Sequence, residues 1–442
     1  MRARDPYTHG SSSGGDDYIP TSGNGGYSVE HYALELDYRV VTNRMQGTAV
    51  IRAHSTQELS RFSLDFAGLS VMKVTVDGVR PRKLAETVRK LVITPETPIE
   101  AGVPFEVTVR YRGAPHPIRS AWGEVGWEEL ADGVIVAGQP CGAASWFPCN
   151  DEPGDKATYS IALTCEAGYT VVSNGVLAGR SSRSGRTTWR YEMAQPMSTY
   201  LATVQIGRYR TRAVAGTAVT QKLHYPAALE RQVLTDFGRV PEMVELFSSL
   251  FGPYPFEGYD VVVTHDVLEI PLEAQGLAVF GRNHVDGAHG SDRLIAHELA
   301  HQWFGNSLTL GRWRDIWLHE GFACYAEWLW AEGSGGRTAD ALAREHRARL
   351  SAEPQDIVIG DPGPQGMFDD RVYKRGALAL HAIRLAIGDE AFFGALRAYA
   401  AAFRFGVVST EDFVESVEAH GGQGLIGALV ERWVYEKGLP KL

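Results

Sequence analysis

Cysteine is scarce in this chain: Cys141, Cys149, Cys165 and Cys324 are the only four in 442 residues. They show neither CxxC spacing nor the density of a disulfide framework, which excludes a stapled secreted miniprotein and fits reduced thiols packed as small apolar groups. Long apolar runs are missing too. No segment approaches the ~18 uninterrupted apolar residues of a membrane span, and the opening MRARDPYTHGSSSGGDDY lacks the apolar core of a secretory signal. A cytoplasmic protein with no membrane partner is the expectation. Positive charge is in deficit, with 43 Lys and Arg against 53 Asp and Glu, a net charge of −10. Phosphate backbones reward clustered Lys and Arg, and no basic stripe is found, so a nucleic-acid partner is excluded.

What remains is an ordinary globular composition, 44% hydrophobic and 22% charged. The length exceeds the size at which one hydrophobic core keeps growing, so two domains of roughly 200 residues are expected. Residues 1–26 are rich in Gly, Ser and Asp without periodicity and read as a flexible or extended arm. Residues 27–209 carry short alternating runs, HYALELDYRV, TAVIRAHS, FEVTVRYRG and YSIALTCEA, separated by turn residues. This predicts an antiparallel β domain, a sandwich or saddle. Over residues 210–442 the period changes: a brief β segment at TAVTQKLHY, an amphipathic helix at PEMVELFSSLF, a strand at YDVVVTH, then mostly helix from Ser291 onward. The fold class is therefore α+β in two domains, the second a small sheet followed by a helical body.

The stretch IAHELAHQWFGN, residues 295–306, carries chemistry. On a helix, His297 and His301 lie one turn apart, so their imidazoles share a face and can share one ion. Glu298 can reach a water on that ion without binding the ion itself. This is the HEXXH arrangement, in which two histidines bind zinc and the glutamate acts as general base. A third ligand is needed. WRDIWLHEGFACYAEW offers Glu320, flanked by Trp317, Leu318, Phe322 and Ala323, which mark a buried helix where an unpaired carboxylate would be costly. Two histidines and a carboxylate leave the fourth tetrahedral position open, the hallmark of catalytic rather than structural zinc, although such a set also accepts cobalt or manganese. Asp315 is placed to cap that helix by accepting backbone N–H bonds. Glu327, near the face of Glu320, reads either as an acceptor for a zinc-bound imidazole or as a surface or capping charge.

HELAHQWFGN followed by WLHEGFACYAEWLW resembles the zinc aminopeptidases of the aminopeptidase N and leukotriene hydrolase family. QPCGAASWFPCNDEPGDKATYSI, STYLATVQIGRY, RVYKRGAL and the ending DFVESVEAHGG…ERWVYEKGLPKL resemble further segments of that family, so the likeness spans most of residues 27–442. It implies a saddle-like β domain followed by a thermolysin-like catalytic domain, in a short bacterial form without the C-terminal helical domain of many relatives. It implies one zinc per chain held by His297, His301 and Glu320, with Glu298 as general base and Tyr373 as hydrogen-bond donor to the transition state. Glu273, in IPLEAQGL, takes the place of the glutamate that grips the substrate's free α-amino group. Ile270, Leu272 and Ala274 replace the Gly, Met and Asn of the family's segment. Gln139 corresponds to a glutamine lining the pocket for the first side chain, and His319 stands where relatives often have Asn, its role open.

The resemblance thus implies an aminopeptidase acting on peptides with a free N-terminus, and a monomer is expected. The alternatives are a specialised peptidase trimming one dedicated peptide, such as the leader of a modified peptide, a non-catalytic peptide-binding protein, and an epoxide hydrolase, as in one branch of the family.

Overall fold

The computed structural model describes residues 8–215 and 219–442. The chain divides into two compact units, Met1–Arg210 and Thr211–Leu442.

The first unit is built on the alternation visible in the sequence. In Tyr27–Arg39 the side chains of Tyr32, Leu34, Leu36 and Tyr38 are buried while Glu35, Asp37 and Arg39 face water, the period-two pattern of a half-buried strand. That strand lies inside a seven-stranded sheet, in the order Val176–Arg183, Arg186–Met197, Ala157–Glu166, Tyr27–Arg39, Arg44–Ser55, Pro104–Gly113, Ser70–Val76. Neighbouring strands pair antiparallel except that Tyr27–Arg39 runs parallel to Ala157–Glu166. Local alternation cannot distinguish the two directions, because both bury one face. A five-stranded and a three-stranded sheet complete the unit.

Within the span expected as a flexible or extended arm, residues 8–26 are packed onto this unit, whereas residues 1–7 lie outside the described residues. Gly10 N–H donates to the Arg61 carbonyl, and Asn24, buried, donates from Nδ2 to Asp65 at 2.7 Å and to Asn150 at 3.2 Å. Long-range side-chain contacts, to which composition is blind, hold this segment down.

The second unit opens with a sheet in the order Tyr209–Val214, Thr220–Pro226, Gly258–Val263, Leu277–Phe280, Leu272–Ala274. The three inner strands are parallel and Leu272–Ala274 is an antiparallel edge. Of the segment TAVTQKLHY, Thr217 and Ala218 lie outside the described residues. The helices are α1 (Glu230–Asp236), α2 (Val240–Phe251), α3 (Asp292–Ala300), α4 (Trp317–Gly333), α5 (Ala339–Leu350), α6 (Asp370–Ile387), α7 (Asp389–Ala402), α8 (Thr410–Glu418) and α9 (Leu425–Val430). α4 is buried over nearly its whole circumference, from Trp317 to Trp330, as expected of a helix apolar on all sides. α4 and α6 cross at a pair of glycines: a Cβ on Gly376 would stand 2.8 Å from the Gly321 Cα, and one on Gly321 would stand 2.9 Å from the Gly376 Cα. Glycine inside a helix costs about 1 kcal/mol relative to alanine. Here it lets two backbones approach and brings the side chains of α4 and α6 to one place.

Candidate metal centre and active site

α3 ends at Ala300, earlier than the sequence pattern suggests, because the chain turns through Gly305 at φ +131. His301 nevertheless keeps helical angles, and its N–H still donates to the His297 carbonyl at 3.3 Å. The two imidazoles therefore remain one turn apart, with ring centroids separated by 4.9 Å. The loop before α3 is fixed by buried Asp236, whose carboxylate accepts N–H bonds from Asp286, Gly287 and His289.

α4 brings Glu320 to the same point. Its Oε2 lies 3.3 Å from His297 Nε2 and 3.5 Å from His301 Nε2. Two ligands held ~2.0–2.1 Å from a tetrahedral zinc stand roughly 3.3 Å apart, so the spacing fits one ion shared by His297, His301 and Glu320. The surroundings select for positive charge. Burial disfavours protonation of the histidines, but Glu320 and Glu327 outweigh it at His297, raising it to about 10, and Glu320 and Glu273 outweigh it at His301, raising it to about 9. Burial likewise opposes ionisation of Glu320, yet the two imidazoles hold it well below the ordinary carboxylate range. A divalent cation satisfies the same demand.

The other ring nitrogens are also held. His297 Nδ1 lies 2.9 Å from Glu327 Oε1, and His301 Nδ1 lies 3.1 Å from the Phe304 carbonyl. Glu327 is held in turn by Arg293 Nη1, 3.0 Å from both its oxygens, and by Lys374 Nζ at 3.8 Å. Such partners fix the tautomer and orientation of a ligating imidazole.

Three further expected residues gather here. Glu298, buried, has an Oε2 without a hydrogen-bond partner among the described residues; burial, reinforced by Glu273, raises its pKa to about 7. Oxygens of Glu273 and Glu298 and a ring nitrogen of His301 lie within 4.8 Å of one another. Burial also raises Glu273. Tyr373, on α6, stacks on His297 at 6.0 Å between centroids. Burial first, then Glu320, Glu273 and Glu298, keep its phenol protonated.

One expected residue takes a different partner. Asp315 does not cap α4, which has no side-chain cap; its Oδ1 instead accepts from the Thr410 hydroxyl at 2.6 Å, tying the start of α4 to α8. Helix capping requires the carboxylate to fold back on its own backbone, and the hydroxyl presented by α8 wins. Gln139 belongs to the first unit, between the strand Gly133–Ala137 and Pro140. His319 has a structural contact: its Nε2 accepts the Leu310 N–H at 2.9 Å. The sequence reading passed over Arg293, Lys374, Asp236 and the Gly321–Gly376 pair, none of which has a local pattern to reveal it.

Two family models match: the peptidase M1 N-terminal domain over residues 28–201 and the peptidase family M1 domain over residues 236–433. The solved M1 zinc metallopeptidase of Deinococcus radiodurans, a Glu-to-Ala mutant bound to a Tyr-Ser-Ala substrate, is 32% identical with a TM-score of 0.89, covering 97% of this chain and 99% of that one. The chain belongs to peptidase family M1. Aminopeptidase M1-A of Oryza sativa subsp. japonica is 28% identical over 70% of this chain and 37% of that protein, and Probable aminopeptidase 1 of Saccharolobus solfataricus is 24% identical over 93% and 54%. This M1 chain thus spans about a third to a half of the length of these curated relatives. No helix among its described residues is long and apolar enough to cross a membrane.

Proposed function

We propose that this M1 chain is a zinc-dependent aminopeptidase, with His297, His301 and Glu320 holding one zinc and the α-ammonium of a peptide bound by Glu273. The observation that carries this reading is the convergence of three carboxylates with different tasks, Glu320, Glu298 and Glu273, on one pair of imidazoles. When bound, zinc supplies Lewis-acid polarisation of a carbonyl and lowers the pKa of water to about 7. Glu298, with a free oxygen and a raised pKa, takes the proton from the attacking water and returns it to the leaving amine. Tyr373, neutral, donates a hydrogen bond to the oxyanion that develops on the scissile carbonyl. Glu273 binds the amine, which is largely protonated near neutral pH because its pKa is about 8. A buried carboxylate without a cationic partner is costly, so the site favours ligands with a free N-terminus.

Support also comes from the solved relative that holds a Tyr-Ser-Ala substrate. Gln139 as a contact for the first side chain, a monomeric state and the domain limits 27–209 and 210–442 are parts of the same proposal. The cytoplasmic setting is kept with it, since all four cysteines are free thiols. The decisive experiment compares aminoacyl-amide fluorogenic substrates with their N-acetylated forms, with and without a chelator. Hydrolysis restricted to free amines and abolished by the chelator is expected; equal turnover of the N-acetylated forms would sink the assignment.

A further inference from the structure

We infer that Gln302 is a positioning residue for amine recognition: it locks the strand bearing Glu273 to the segment bearing the metal ligands, so that the ammonium site and the metal keep a set separation. The inference rests on the reading above, in which Glu273 receives the ammonium.

Gln302 follows His301 directly and is fully buried. Its Nε2 donates to the Ala274 carbonyl at 3.1 Å, and its Oε1 accepts the Gly276 N–H at 2.8 Å. One side-chain amide thus makes with the backbone the paired bonds that a neighbouring strand would make. Asn306 adds a second donor to the same Ala274 carbonyl, from Nδ2 at 3.0 Å. Both side chains come from the turn that leaves α3, and both act on the residues just after Glu273.

The strand needs such help. Leu272–Ala274 is three residues long and forms the edge of its sheet, with Leu277–Phe280 as its one neighbouring strand among the described residues. Side chains alternate faces along a strand, so a one-residue slip would turn Glu273 away from the metal ligands. The bonds of Gln302 and Asn306 hold the end of this strand and the turn that follows it, and so fix its register. Gly276 completes the geometry at φ +79, in the left-handed region open to glycine, with its N–H on Gln302. Because the clamp grips backbone atoms, it does not depend on the side chain at position 274. That leaves room for Ala274 to stand where the resemblance implies an Asn.

A structural role alone would weaken every ligand of the site, whereas loss of register should weaken only those with an amine. The test uses zinc-loaded wild type, Gln302→Met, Gln302→Glu and Asn306→Ala with two inhibitors, L-leucine hydroxamate and its desamino counterpart 4-methylpentanohydroxamate. Both address the metal, and only the first has an ammonium for Glu273. In Gln302→Met the preference for the amine-bearing inhibitor should fall by about 10- to 100-fold, the usual range for losing a supporting contact of a site. The desamino compound should change by less than about threefold, since its contacts are those of the metal centre. Gln302→Glu, which keeps the acceptor for Gly276 and loses the donor, should fall in between, and Asn306→Ala should lose least. Should Gln302→Met not load zinc, Gln302→Glu is scored by the same ratio. An unchanged ratio in zinc-loaded Gln302 variants, or equal weakening of both inhibitors, would overturn the inference. A wild-type ratio near one would overturn it through its premise, that Glu273 binds the amine.

Discussion

Glu327 Oε1 stands 2.9 Å from Nδ1 of His297, while Nε2 of the same ring faces Glu320 Oε2 at 3.3 Å. One imidazole thus lies between two carboxylates, to which the proposal gives opposite duties: one shares the metal site, and the other fixes the ring that enters it. Arg293 and Lys374 balance the charge of Glu327, so it can accept a hydrogen bond at low exposure without being an isolated buried anion.

Glu327→Ala should weaken zinc binding by about 10- to 100-fold, the usual loss when the hydrogen-bond partner of a ligating histidine is removed. Glu327→Gln, which retains an acceptor oxygen, should lose less. Competition with a chromophoric chelator measures both; equal affinity of Glu327→Ala and wild type would show the contact to be incidental.

Glu298→Ala should keep stoichiometric zinc and lose turnover by at least about 10²–10⁴-fold, the range assigned to general acid–base catalysis. The proposed ligand set, His297, His301 and Glu320, does not include it. Metal analysis alongside single-turnover kinetics checks the separation, and loss of zinc in the variant would make Glu298 a ligand instead.

Tyr373→Phe should lower kcat by about 10²–10³-fold with little change in KM or zinc content, as for removal of one preorganised oxyanion donor. The aromatic ring that stacks on His297 remains, so packing is preserved. A rise in KM with unchanged kcat would place the phenol in ground-state binding.

Gly376→Ala should destabilise the second unit by about 1–3 kcal/mol, the range for overpacking, despite alanine's better helix propensity. The added methyl meets the Gly321 backbone, which cannot rotate away. Denaturant unfolding gives the stability, and kcat should fall as well, because Tyr373 is carried on the displaced helix. An alanine variant as stable as wild type would show that the crossing is loose.

Asp151, in the first unit, provides a pH signature independent of the metal. Burial, with Asp65 beside it, raises its pKa from 3.8 to about 7, and its Oδ2 has no hydrogen-bond partner among the described residues. Between the unfolded value near 3.9 and the folded value, the folded state binds the extra proton. The stability that this proton contributes is fully present below about pH 4 and is lost as the pH rises through about 7, on the order of a few kcal/mol. Asp151→Asn should therefore gain on wild type between pH 5 and pH 8 in denaturation midpoint. A constant difference over that range would show that the group does not titrate there.

The local patterns decided a good deal. Alternating runs in residues 27–209 and the three-to-four spacing beyond Ser291 fix β and helical character because burial of one face has a period that can be read locally. The pair His297 and His301 is legible for the same reason, since one helical turn separates them. Glu320 was legible from its apolar flanks, Tyr373 and Glu273 only through resemblance.

Other features lay beyond any local reading. The parallel pairing of Tyr27–Arg39 with Ala157–Glu166, the packing of residues 8–26, and the bond from Asp315 to Thr410 all join segments distant in the chain, and a side chain's choice of partner is settled only when those segments meet. By itself the sequence determined which groups could bind a metal, take a proton or hold an amine. Tertiary structure alone decided their separations, by letting α4 and α6 touch at Gly321 and Gly376 and by clamping an edge strand with Gln302, because distances across a fold are set by packing and not by spacing along a chain.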